Sequence, residues 1–202
     1  PVFATYSGYT TPGLLFIMHG DGNAFKYVWP DAPWFNSSAS LYTGVGVIIT
    51  GGIFSILFLQ TGRYHPVLNR VLLVVVGLAV ALLASSAIID HQPIKKLFVL
   101  YALLAVTSYV VAGFVAARTR FKQVRFYVLA WIGVVASSAI LVAQHWLGFY
   151  TSDNFQLDSM RAVMVFDALF MGLALWDSFN QMRQSPHQSR QANLFPAERK
   201  LE

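Results

Sequence analysis

Six largely apolar stretches, most close to the length of a membrane crossing, alternate with short charged or aromatic connections. They occupy residues 2–18, 39–60, 71–89, 97–117, 124–147 and 159–179. A helix needs about 20 consecutive apolar residues to cross the hydrocarbon core of a bilayer. The first stretch is the least regular, because Pro12, Gly13 and several hydroxyls interrupt it. Proline is tolerated in a membrane helix when neighbouring groups satisfy the freed carbonyl. The expected fold is therefore all-α, a polytopic membrane helix bundle with six transmembrane helices. Composition agrees: 56% of the 202 residues are hydrophobic and 11% are charged, against about 25% charged in soluble domains.

The connections predict an orientation. Arg63, Arg70, Arg118, Arg120, Lys122, Arg125, Arg183, Arg190, Arg199 and Lys200 fall on one side of alternating spans. Lys26, Lys95, Lys96 and Arg161 fall on the other. Lysine and arginine concentrate on the cytoplasmic side, so the first set is expected there, together with both chain ends. The net charge of +5 then reflects topology and anionic lipid contact, and no nucleic-acid partner is expected. The stretch "YVWPDAPWF" at 27–35 lies between the first two spans on the opposite side. Its prolines stop a helix, and Trp29 and Trp34 suit the headgroup level, where a ring and a polar edge are both satisfied. Trp131, near the start of the fifth span, is expected as a further interfacial anchor.

Several motifs together resemble one family. "GNAFKYVWPDAPWF" (22–35) is similar to the connection between the second and third helices of the 7TM module in bacterial 7TM receptors with diverse intracellular signalling modules (7TMR-DISM). "YHPVLNRVL" (64–72) resembles that family's linker into its fourth helix. "VRFYVLAW" (124–131) resembles the start of its sixth, and "DNF" (153–155) the approach to its last. "DALFMGLALWDSFNQMR" (167–183) resembles the last helix and its exit. The ordered matches cover nearly the whole chain. The resemblance implies that the six spans are helices two to seven of a seven-helix module, with the first helix absent before Pro1. It implies a sensor module over residues 1–183 in a bacterial inner membrane, with the carboxyl terminus cytoplasmic. Residues 184–202 would then be a short polar tail or truncated linker.

By the same resemblance the module is expected to form a homodimer. It would relay an extracytoplasmic signal through the last helix, with Asp177 and Arg183 transmitting it to a cytoplasmic kinase or cyclase effector, fused or separate. Any catalysis would lie outside this chain. Departures occur where the family often has a Gln-x-Gly-Ser run and this chain has "RAVMVFD" (161–167). The family's closing Asp-Arg pair is here Asp177-Ser178, and "RQSPHQSRQ" is expected to break the helix at Pro186.

Asp167 is the most conspicuous chemical group, an acid well inside the sixth span. A carboxylate at such depth costs about 2.5–3.5 kcal/mol on insertion scales and faces the bundle or water. It is a candidate ligand contact, proton-linked switch or inter-helix clamp. Equally, it could be a structural acid bonded to a hydroxyl such as Ser137 or Ser138. His19, Asp21, Asp90, His91 and His145 fall near the outer helix ends, where they could contact a polar ligand or sense pH. A metal at His19, His91 and His145 is the weaker alternative, because no local ligand spacing supports it; three unrelated interfacial histidines is the plainer reading. The paired serines 85–86 and 137–138 suit close helix packing.

No cysteine is present, which excludes disulfides and thiol chemistry. No G-x-S-x-G, P-loop or intramembrane lysine occurs, so neither hydrolase nor nucleotide nor Schiff-base chemistry is indicated, and no cofactor is expected. A small transporter or channel subunit using Asp167 is the main alternative, although no inverted repeat is evident. A membrane scaffold is the third.

Overall fold

A computed structural model describes the backbone of residues 2–86, 91–148 and 153–198. Within these it describes the side chains of residues 4–86, 94–118, 124–144, 146–148, 155, 158–177, 179 and 180. The elements are α1 (Val2–Gly20), α2 (Asn23–Tyr27), α3 (Pro33–Asn36), α4 (Ala39–Leu59), α5 (Thr61–Tyr64), α6 (Pro66–Ser85), α7 (His91–Leu147) and α8 (Asp153–Glu198). No strand occurs among the described residues.

Five stretches are long and apolar enough to cross a membrane: Ala39–Leu59, Pro66–Ser85, Ile94–Arg118, Val124–Gln144 and Asp158–Asp177. α1 is a sixth helix, 19 residues long and so about 28 Å, but its serines, threonines, tyrosines and proline dilute its apolar character. It nevertheless runs antiparallel along α4. Pro12 does not end it. The Thr11 hydroxyl donates to the Ser7 carbonyl at 2.9 Å, and Thr10 to the same carbonyl at 3.1 Å. Both bonds go to the Ser7 carbonyl, next to the Gly8 carbonyl that Pro12 leaves without its helical N–H. α6 begins earlier than the apolar run because Pro66 occupies its first turn, where a fixed φ and a missing N–H cost nothing.

The fourth and fifth expected spans both belong to α7, whose 57 residues comprise two helices joined back to back. A single straight helix of that length would reach about 85 Å. Instead the Tyr109 and Trp131 rings lie 4.9 Å apart, and the Tyr127 hydroxyl reaches the Tyr109 carbonyl at 3.3 Å. α7 therefore doubles back between Ile94–Arg118 and Val124–Gln144. The close pass is possible because Gly113 has no side chain; a Cβ there would lie 2.8 Å from Val128 Cγ2 and 2.9 Å from Tyr127 Cε1.

α4 is the hub. It touches α1, α6 and both halves of α7, and 50% of its spanning window is buried against 11% for α6. Its glycines make this possible. A Cβ on Gly44 would meet Phe98 Cζ at 2.7 Å, one on Gly51 would meet Trp131 Cη2 at 2.9 Å, and one on Gly52 would meet Val76 Cγ2 at 2.5 Å. In a bilayer, where lipid tails are as apolar as leucine, such close van der Waals packing is a main source of helix association.

The contacts made by these glycines centre on buried aromatics. Tyr9 stacks on Phe54 at 6.4 Å and tilts against Trp131 at 5.6 Å, while Phe58 stacks on Tyr127 at 5.5 Å. Trp131 is thus not an interfacial anchor, which corrects the sequence expectation: it is fully buried. It sits about 10 Å along the helix from Val124, too deep for the headgroup level, and fills the space Gly51 leaves open. Hydroxyls in this core bond to helix backbone or to each other. Tyr109 donates to the Ile48 carbonyl at 2.7 Å, Tyr127 to Ser55 Oγ at 2.7 Å, and Tyr101 to the Val75 carbonyl.

Tyr127→Phe keeps the stacking and removes the hydroxyl that reaches both Ser55 Oγ and, more weakly, the Tyr109 carbonyl. Interhelical bonds in bilayers are worth about 0.6 kcal/mol on average, and Ser55 keeps its own bond to the Gly51 carbonyl at 2.7 Å. The expected result is a small loss, about 0.5–1 kcal/mol, in a denaturation series on bilayer-reconstituted protein. A loss several times larger would show that the ring had moved as well.

α8 continues as a helix to Glu198, across Pro186, where the sequence led us to expect a break. A lone proline removes one backbone bond and bends a helix; the flanking Gln, Arg and Ala residues favour helix on either side. The side chains of this extension lie outside the described residues.

Candidate functional site

α1, α4, both halves of α7 and α8 line a half-open cavity of about 630 Å³. Phe16, Phe98, Val134, Leu141 and Met164 give it largely apolar walls, and Asp167 supplies the only carboxylate among its lining residues. Asp167 is 5% exposed. The Tyr9 hydroxyl of α1 donates to it, and Asp167 Oδ1 has no partner among the described residues. Of the expected hydroxyl partners, Ser137 and Ser138 line the same cavity, but Ser138 donates to its own helix, to the Val134 carbonyl at 2.8 Å. The partner the sequence did not single out is Tyr9. A polar aromatic in the middle of a membrane helix, opposite a lone acid, was the signal available.

The seam between α1 and α8 is thin. Besides Tyr9 and Asp167, it has the Tyr6 hydroxyl at 3.4 Å from the Ala168 carbonyl, Met164 against Gly13, where a Cβ would lie 3.3 Å from Met164 Cε, and at its end Arg161 on Asp21, the residue after α1, at 2.8 Å. Methionine is flexible and adapts to altered gaps. α8 leans chiefly on the second half of α7. There Phe126 and Phe170 lie 6.3 Å apart, and a Cβ on Gly133 would lie 3.2 Å from Phe166 Cδ1.

One end of the bundle gathers His19, Asp21, Lys95 and Arg161. Lys95 donates to the Ser37 carbonyl at 2.5 Å; Arg161 donates to Asp21 at 2.8 Å and to Asp158 at 2.6 Å. His19 and Lys95 also line the cavity. The aromatic connection closes over this end as a folded turn. Trp29 meets Phe35 edge-on at 5.1 Å and donates to Asn36 Oδ1 at 3.0 Å, and Phe35 stacks on Tyr42 of α4 at 5.5 Å. His19 lies 6.5 Å from the Trp29 ring. Trp34 is 74% exposed, where a ring can reach the headgroup level. Asp90 and the side chains of His91 and His145 lie outside the described residues, so their convergence with His19 is not described; among the described residues no group of three potential metal ligands occurs.

At the opposite end Arg125 and Asp177 form an ion pair at 3.9 Å. Half-exposed pairs of this kind contribute at most about 1 kcal/mol. The pair joins the second half of α7 to α8, close to where α8 leaves the bundle. The Arg183 side chain lies outside the described residues. The two ends carry the connections that the sequence assigned to opposite sides, so the alternation of spans is seen in the packing.

A family model described as 7TM diverse intracellular signalling matches residues 1–178. Neither the curated proteins nor the solved structures give a match.

Proposed function

Because the chain belongs to the 7TM diverse intracellular signalling family, we propose that it is the membrane-embedded sensor of a bacterial receptor, and that α8 is its output. As a family member it is a multi-pass transmembrane signalling module. In our reading the end with His19, Lys95 and Arg161 faces outward, and the end with Arg125 and Asp177 faces the cytoplasm, as the positive charges suggest. Two copies associate in the inner membrane, and a kinase or cyclase effector, fused or separate, reads the position of α8. The chain itself carries no catalysis in this reading.

The observation that carries the proposal is the buried Asp167 held by Tyr9 across the thin α1–α8 seam. Against α1 alone, α8 is held by few contacts, the Tyr9–Asp167 pair and a flexible methionine among them, so in this reading that side of α8 can adopt a second packing at low cost. Sub-ångström changes at such contacts are amplified when a packed interface has two discrete arrangements. Since α8 is helical past Asp177 as far as Glu198, a shift at Asp167 would in this reading be passed along it to whatever lies below. The Arg125–Asp177 pair would follow the same shift.

The chain has no native cysteine, so two can be introduced without background. Gly77 of α6 and Gly172 of α8 have no atom within 4 Å of a built Cβ and accept spin labels without distortion. Pulsed electron spin resonance on Gly77→Cys/Gly172→Cys protein in bilayers is expected to show two distances. Adding Asp167→Asn should change their ratio, and effector output in cells carrying the same variant should change with it. A single unaltered distance alongside altered output would sink the relay. Solute or ion flux in proteoliposomes, abolished by Asp167→Asn, would favour a transporter instead.

A further inference from the structure

The geometry points to the cavity beside Asp167 as a binding site for a lipophilic small molecule with one hydrogen-bond donor, an amine or an alcohol. This deepens the sensor reading and rests on it for biological meaning, though not for its test. At about 630 Å³ the cavity falls in the range of pockets that hold drug-sized ligands, which are typically apolar with a few placed polar groups. Phe98, Val134, Leu141 and Met164 offer dispersion contact and no strong hydrogen bond. Asp167 is 5% exposed, with Oδ1 lacking a partner among the described residues. Leaving a buried acceptor unmade costs about 1–3 kcal/mol, so a ligand that brings a donor to Oδ1 gains more than its apolar area. The second oxygen's tie to Tyr9 fixes the direction in which Oδ1 is presented.

Charge sets the ligand's orientation. Lys95 lines the same cavity toward the end of α1 marked by His19, and Tyr9 to His19 covers about 15 Å of helix. A cationic head is repelled from Lys95 and drawn to the carboxylate, which places the apolar body between them. An anionic head would be repelled by the carboxylate. A plain lipid tail could fill the volume but would leave Oδ1 unsatisfied. Because Asp167, Met164 and Ala168 are on α8 and Tyr9 and Gly13 are on α1, the ligand would lie against the seam that the output helix must slip along.

The test uses three photoreactive decyl probes that differ only at the head: an amine, an alcohol and a methyl ether. Membranes holding the full chain are labelled at equal probe content, and the modified residues are mapped by mass spectrometry. Amine and alcohol are expected to label Phe98, Val134 or Met164 about tenfold more than the ether does, the ratio that about 1.4 kcal/mol confers. Asp167→Leu should bring all three to the ether level. Asp167→Asn should reduce the amine and spare the alcohol. Equal labelling by the three probes in the wild-type chain would overturn the site. So would labelling confined to bilayer-facing positions such as Leu169 and Leu173, which would show lipid-phase partition only. The wild-type comparison decides even if a variant fails to fold. Probe capture without any α8 displacement would refute the relay and leave the binding site standing.

Discussion

Gly52→Val is expected to abolish recovery of folded protein, whereas Gly77→Val leaves it intact. A Cβ on Gly52 would lie 2.5 Å from Val76 Cγ2 and 2.8 Å from Tyr109 Oη, inside any real contact distance. Neither neighbour can retreat easily. Val76 belongs to α6, and the Tyr109 hydroxyl is committed to the Ile48 carbonyl at 2.7 Å. Overpacking a filled core costs about 1–3 kcal/mol and sometimes more, and valine adds two methyl groups beyond the Cβ. The hub position of α4 makes the damage general, since α6 and both halves of α7 register against it. Gly77 lies on α6 with no atom within 4 Å of a built Cβ, so the same change there tests side-chain size without the clash. Gly52→Ala with Val76→Ala should recover part of the loss. Fluorescence-detected size-exclusion profiles and melting curves in bilayers would give the order; equal behaviour of Gly52→Val and Gly77→Val would contradict the close packing of α4.

Asp167→Leu with Tyr9→Phe is expected to stabilise the bundle while removing its response. A carboxylate at mid-membrane costs about 2.5–3.5 kcal/mol on insertion scales, and here one oxygen has no partner among the described residues. Leucine removes that cost. Alone, however, Asp167→Leu strands the Tyr9 hydroxyl in a buried position, at about 1–3 kcal/mol, so the single variant should lie near the parent protein. Removing both polar groups avoids the orphan, and a gain of about 2 kcal/mol is expected. The melting curves of the four proteins in a double-mutant cycle give the coupling directly. If the acid were only a structural clamp, the double variant would signal as the parent does. Stability gained with output lost marks a group retained for function.

The sequence made the acid visible but not its surroundings. Asp167 stands out because a charge in an apolar run is costly wherever the run is placed. Tyr9 did not stand out, because tyrosine is ordinary in a helix already rich in hydroxyls, and nothing local says which helix will face it. Trp131 was misplaced for a related reason. Tryptophan near the start of a span suits the headgroup region on average, yet here Gly51, from a distant segment, leaves a space of the right shape in the core. The helix ends were legible where a residue forces them, as at Pro66, and less so at residues 118–124, where the chain turns back between two antiparallel spans without a proline or glycine to mark it.

What the sequence determined by itself is the set of membrane helices, their alternation and the family to which they belong. The bilayer imposes its demand locally: each segment must satisfy its own backbone, so length and apolar content suffice to find it. The tertiary structure decided which faces meet. Close packing depends on matched shapes from segments far apart in the chain, Gly51 with Trp131, Gly52 with Val76 and Tyr109, Gly113 with Tyr127 and Val128. It also decided that the buried Asp167 is held by α1, beside a cavity and on the last helix. That conjunction, which no segment encodes alone, is what gives Asp167 a role to test.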